Sequence, residues 1–197
     1  MKLFHSPASP FARKVRACAV ARDIDGRIEL VACNAAESPE GLLAVNPLSK
    51  IPALLTADGV AMYDSRVICE FLDSIGDAPA MFPPSGRARW LALRYQAMGD
   101  GMSDASVLRR GESLRPREPA RDANMARQAA AVTRTLAMLE QEPPHAAVDI
   151  GSLAVACALG YLDLRFGDED WRGPHPVLAA WFAAIGAQPC LIATAPA

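Results

Sequence analysis

The sequence predicts two units in series: an α/β domain of βαβ then ββα order, followed by a domain built of helices alone. Three observations carry this reading. Over the first 75 residues, apolar runs of strand length alternate with runs at helical spacing. A breaker-rich stretch from Gly76 to Gly86, containing Pro79, Pro83 and Pro84, then interrupts both patterns. Beyond it only helical periodicity recurs. The boundaries we assign are 1–77 for the α/β domain, 78–86 for the linker and 87–197 for the helical domain. With 197 residues, 51% of them hydrophobic, the chain is long enough to bury a sizeable core.

Lys2 to His5 is the first strand. Ser9-Pro10 then opens a helix with Phe11, Val15, Cys18 and Ala19 at helical spacing, serine being a favoured N-cap and proline suiting the first helical position. After the turn residues Asp25-Gly26, the segment Arg27 to Cys33 carries Ile28, Leu30 and Val31 and reads as a second strand, parallel to the first. A short helix is expected near Pro39 to Val45. Ala53 to Thr56 and Ala61 to Tyr63 flank Ala57-Asp58-Gly59, a hairpin signal, and Ser65 to Ile75 is helical. In the second half, Arg87 to Leu114, Asp122 to Leu139 and Pro176 to Ala187 are helices. Asp149 to Phe166 is apolar almost all round and predicts a buried one.

Composition bounds the function. A formal net charge of -2 provides no general attraction to nucleic acid or anionic membrane. The basic run Arg109, Arg110, Arg115, Arg117 and Arg121 is interleaved with acids and prolines and reads as a solvated helix end and loop. No nucleic-acid partner is expected. The longest apolar run, Leu153 to Leu162, is too short to cross a bilayer, so no membrane partner is expected either. The opening residues lack an apolar stretch of signal-peptide length, which predicts a cytoplasmic protein. Five cysteines without a C-x-x-C pair predict reduced, mostly buried thiols, and the three histidines show no metal spacing, so no metal is expected.

Three segments carry chemistry. In Ser9-Pro10-Phe11-Ala12-Arg13-Lys14-Val15-Arg16, three cations crowd the positive end of a helix, a conflict that a bound anion would relieve. Asn46 to Leu55 places Pro52 directly before a strand, where proline is tolerated. Asp64-Ser65 opens the next helix. Each segment alone reads equally as a plain cap or turn.

Together, in this order and spacing, they resemble the glutathione-binding domain of the glutathione transferase superfamily, with its thioredoxin-like fold. The resemblance continues through Ala97 to Gly101, Asp149 to Ala154, Trp181 and Gln188-Pro189, and so covers essentially the whole chain. It is nearest to bacterial members with serine opening the first helix. Ser9 stands where cysteine-type classes carry cysteine, which speaks against a dithiol reductase; the Ser-Ser-Cys motif of the zeta class is absent too. The family's Ser/Thr-x-x-Asp cap becomes Asp149-x-x-Ser152, with a weaker reciprocal bond expected from the short serine hydroxyl.

The resemblance implies that Ser9 stabilises the thiolate of glutathione, and that Phe11, Lys50, Ile51, Pro52, Asp64 and Ser65 bind the tripeptide. In that scheme the Ile51 backbone pairs with the cysteinyl part beside a cis Pro52. Asp64 and Ser65 hold the γ-glutamyl end, and Lys50 assists the glycyl carboxylate. Asp100, or Asp104 one turn on, would reach the γ-glutamyl ammonium bound in a second copy. The implied protein is a homodimer that conjugates glutathione to a small electrophile or uses it to reduce peroxides. The alternative is a noncatalytic ligand carrier or interaction module of the same fold. Met98, Met102 and Leu108 are candidates to line the second-substrate pocket.

Overall fold

The computed structural model describes residues 1–196. Strands β1 (Lys2–His5), β2 (Glu29–Ala32), β3 (Ala53–Leu55) and β4 (Ala61–Met62) form one sheet in the order β2-β1-β3-β4. β1 runs parallel to β2, pairing Leu3 with Leu30, and antiparallel to β3, pairing Leu3 with Leu54. Helices α1 (Pro10–Ala21) and α3 (Ser65–Ile75) pack together through Val15, Cys18, Ile68 and Leu72, all fully buried. A single turn, α2 (Glu40–Leu43), crosses between β2 and β3 and buries Leu42. Gly59, at φ +86, completes the turn between β3 and β4 in a conformation that side chains rarely adopt.

The second half is helical: α4 (Gly86–Ser113), α5 (Pro119–Gln141), α6 (Ile150–Arg165), α7 (Pro176–Gly186) and α8 (Pro189–Ile192). α6 is the axis, buried continuously from Ile150 to Leu162, which is why its sequence shows no polar face. A Cβ on Gly99 of α4 would strike the α6 backbone at Ala154, and one on Gly151 of α6 would strike the Ala92 carbonyl of α4. The two helices therefore cross at backbone distance. Both halves of the α6 capping box are present: Asp149 Oδ1 accepts from the Ser152 amide at 2.8 Å, and Ser152 Oγ accepts from the Asp149 amide at 2.8 Å. The short hydroxyl reaches after all, so the weaker reciprocal bond expected from the sequence is corrected. α7 borrows its cap from α5, where Glu140 accepts from the Val177 and Leu178 amides.

One apolar cluster runs from Leu3 and Val15 through Leu72 to Leu153 and Leu178, so the halves share a core. The breaker-rich stretch is pinned rather than free. Asp73 accepts from the Met81 and Phe82 amides, the Ile150 amide donates to the Met81 carbonyl, and the Arg22 guanidinium lies 3.1 Å from Asp73. Among the described residues no helix is long and apolar enough to cross a membrane. All five cysteines are free, and all but Cys33 are buried.

Candidate functional site

Every residue expected to activate or bind glutathione, from Ser9 to Asp104, borders one cleft of about 1330 Å³ between the sheet-bearing half and the α4 and α6 helices. Its first wall is the N-terminus of α1. Ser9, in extended conformation, caps the helix by accepting from the Ala12 amide at 3.2 Å, while the Arg13 amide donates to the Ser9 carbonyl at 2.9 Å. Pro10 has no N–H, and the Phe11 amide has no acceptor among the described residues. A hydroxyl proton, one amide and the positive helix end thus converge on a single spot suited to an anion.

The second wall is the loop before β3. Asn46, fully buried, donates from Nδ2 to the Lys50 carbonyl at 2.8 Å and accepts from the Leu48 amide at Oδ1. Ser49 takes φ +49 there and donates to the Ala35 carbonyl at 3.0 Å. This brace presents Ile51 ahead of a cis Ile51–Pro52 bond, with neither the N–H nor the C=O of Ile51 paired among the described residues. The arrangement offers an extended ligand one strand-like pair of bonds. Asn46 lay in a segment singled out from the sequence, yet its bracing role depends on a loop geometry the sequence does not display.

The third wall is the N-terminus of α3, where Asp64 caps by accepting from the Arg66 amide at 2.9 Å and Ser65 is buried. Arg66 then reaches Asp100 of α4 at 2.9 Å, and Asp100 also meets Lys14 of α1 at 2.5 Å. Lys14 is 1% exposed and Asp100 3%. Two of the three cations crowding α1 are therefore answered inside the chain and not by a ligand: Lys14 by Asp100, and Arg13 by the Leu191 carbonyl at 3.2 Å. With both oxygens of Asp100 engaged, Asp104 is the open carboxylate of this wall. Burial and the Asp100 carboxylate raise its pKa, against the pull of Arg66 and Lys50. A carboxylate so placed gains from a cationic partner.

Of the three expected lining residues on α4, only Leu108 borders the cleft. Met102 is buried in the core and Met98 packs against it, since their side of α4 faces inward. α6 contributes two residues the sequence did not single out, Tyr161 and Arg165. Cys33 also borders the cleft, but burial raises its pKa, and burial pushes the Cys157 thiol up to about 12. None of these thiols is acidified, so a reactive thiolate at this site would come from a ligand.

The fold and cleft define a thioredoxin-like domain docked on a helical bundle. Residues 8–75 match the model for the N-terminal domain of glutathione S-transferases, and residues 122–184 match that for the C-terminal domain. A GST-like protein of Escherichia coli K12, YibF, itself uncharacterised, is 30% identical over 183 residues, 90% of each chain. A glutathione transferase family member of Pseudomonas fluorescens Pf-5, solved with bound glutathione, is 41% identical with a TM-score of 0.91, covering 100% of this chain and 98% of that one. A second Pf-5 structure, holding S-(propanoic acid)-glutathione, is 42% identical with a TM-score of 0.87 and full coverage of both chains. The chain belongs to the glutathione S-transferase family.

Proposed function

We propose that the chain is a glutathione transferase that binds glutathione in this cleft and activates its sulfur for attack on a small electrophile. The observation that carries this reading is the convergence of the Ser9 cap, the unpaired Ile51 backbone and the Asp64-Ser65 helix start on one cleft. Glutathione bound in one Pf-5 structure and S-(propanoic acid)-glutathione bound in the other support it. Ser9 donates its hydroxyl proton to the thiolate while its oxygen accepts the Ala12 amide, so capping and activation use different parts of one group. Ser65 and the open α3 amides receive the γ-glutamyl carboxylate, and Asp104 receives the ammonium within the same chain. Lys50 faces the glycyl carboxylate, and Phe11 lies between the tripeptide and the second-substrate side.

The energetics are adequate. Lowering a thiol pKa from about 8.5 by ~2 units needs roughly 2.7 kcal/mol of preference for the anion. A helix end supplies about 0.3 to 1 kcal/mol, and one hydrogen bond to a charged group adds roughly 1.5 to 3 kcal/mol. The two together suffice where the helix end alone does not. The test is the ultraviolet thiolate absorbance of the glutathione complex against pH, for the wild type and Ser9→Ala. The variant's titration should move up by roughly one to two units; superimposable curves would leave Ser9 as a cap only. A chromogenic conjugation assay then separates an enzyme from a carrier.

The working form is a cytoplasmic homodimer. Val67 on α3, 50% exposed, and Trp90 on α4, 69% exposed, are apolar side chains that a second copy would cover. Mass measurement at micromolar concentration decides it, and a stable monomer that still binds glutathione would sink the claim.

A further inference from the structure

We infer that the side of the cleft facing Ser9 is a carboxylate subsite: the sulfur substituent it takes has an apolar body ending in a carboxylate, anchored by Arg165. This rests on glutathione occupying the Ser9 side. The α4 wall and the α6 wall of the cleft differ in the charged groups they carry. At Asp104 on the α4 wall, two further carboxylates, Asp64 and Asp100, bear on the site along with Arg66 and Lys50. On the α6 wall the charged groups that bear on Tyr161 are Arg165, which also bonds to it, and Arg110.

Two of the neighbouring acids are already taken. Asp163 forms a two-pronged pair with Arg172, at 2.6 and 2.7 Å, and Glu169 pairs with Arg109, whose guanidinium stacks 4.2 Å from the Phe166 ring centroid. Arg110 makes only a local bond to Ser113 Oγ at 3.4 Å. Arg165 forms no ion pair among the described residues, although it borders the cleft. It sits in the last turn of α6, where the helix terminus favours a cation, with the Tyr161 phenol as its side-chain neighbour. Burial raises the pKa of Tyr161, which keeps its phenol protonated and able to donate at neutral pH. Val107, Leu108 and Phe11 line the same cleft as these donors and give it apolar surface. A short hydrocarbon segment fits there, and a carboxylate at its far end meets a guanidinium fork and a phenol.

The experiment measures dissociation constants of S-(2-carboxyethyl)glutathione, S-propylglutathione and glutathione by calorimetry, for the wild type, Arg165→Gln and Arg165→Lys. The two conjugates share their length and differ in the terminal charge. The wild type should prefer the carboxyethyl conjugate by about tenfold, the preference shrinking as salt is raised. Arg165→Gln should abolish the preference and Arg165→Lys should keep part of it. Equal affinities in a wild type that binds glutathione would overturn the subsite and leave the glutathione reading intact, as would an undiminished preference in Arg165→Gln. A wild type that bound neither glutathione nor either conjugate would overturn both.

Discussion

In the sheet-bearing half the cleft is bordered largely by backbone and caps: the first turn of α1, the unpaired amide and carbonyl of Ile51, and the first turn of α3. In the helical half it is bordered by Asp100, Asp104, Val107 and Leu108 of α4 with Tyr161 and Arg165 of α6, positions inside helices whose backbone is already hydrogen-bonded. Backbone donors keep their positions whatever side chains surround them, so the first half is fitted to an invariant ligand. The helical wall can change chemistry residue by residue without disturbing the fold. Under the proposed function, the difference assigns binding of the common tripeptide to one half and choice of its partner to the other.

The two halves are joined by the buried pair of Lys14 with Asp100, and removing one member tests that joint most severely. Asp100→Ala leaves the Lys14 ammonium without its counter-charge and should cost about 3 to 5 kcal/mol. The double variant Lys14→Met with Asp100→Leu should recover most of that loss in urea unfolding; a single-variant loss below about 1 kcal/mol would show that the pair does not join the halves. Two glycines of α4 sharpen the contrast between a packed and an open face. Gly99→Ala should destabilise by about 1 to 3 kcal/mol because its Cβ meets the α6 backbone. Gly101→Ala, with nothing nearby, should instead stabilise by about 0.5 to 1 kcal/mol. Thermal unfolding of both variants reads the difference in sign.

Ser9→Ala should lower stability by about 0.5 to 2 kcal/mol through the lost cap, measured in the same unfolding series. The smallest effect is expected at Asp104. Its pKa is raised in the folded chain, so the folded state holds the proton more tightly and stability falls as pH rises from the ordinary value of 3.8 through the raised one. Asp104→Asn should therefore melt at or slightly above the wild type at neutral pH. That advantage should vanish below pH 3.8, while glutathione affinity at neutral pH should drop. An Asn variant that melts lower at neutral pH would show the carboxylate to be structural.

What could be read from the sequence was local. Ser9, Asp64 and Asp149 cap helices within three residues of themselves, and the turn at Gly59 is written in consecutive residues. Lys14 and Asp100 are 86 residues apart, and nothing in either neighbourhood announces the other. Met98 and Met102 sit at a helical spacing that fits a pocket wall or a core equally well, and only the docking of α4 on α6 decides. Tyr161 and Arg165 were hidden because a helix apolar on all sides does not say which face meets a cleft. The composition of residues 76 to 86 marked a break between elements, but the anchoring of that break by Asp73 required its tertiary partners.

The bond from Arg13 to the Leu191 carbonyl spans 178 positions, and it imposes an order in time. During synthesis the amino-terminal elements leave the ribosome first and fold as units. α1 can then cap at Ser9 long before Leu191 exists, with the Arg13 guanidinium still open to water. Gly160, whose missing side chain makes room for that guanidinium, is translated next, and the acceptor only some thirty residues later. A stalled nascent chain ending before Leu191 would therefore carry a recognisable α1 whose inner face is still wet, its Arg13 guanidinium waiting for a carbonyl not yet made.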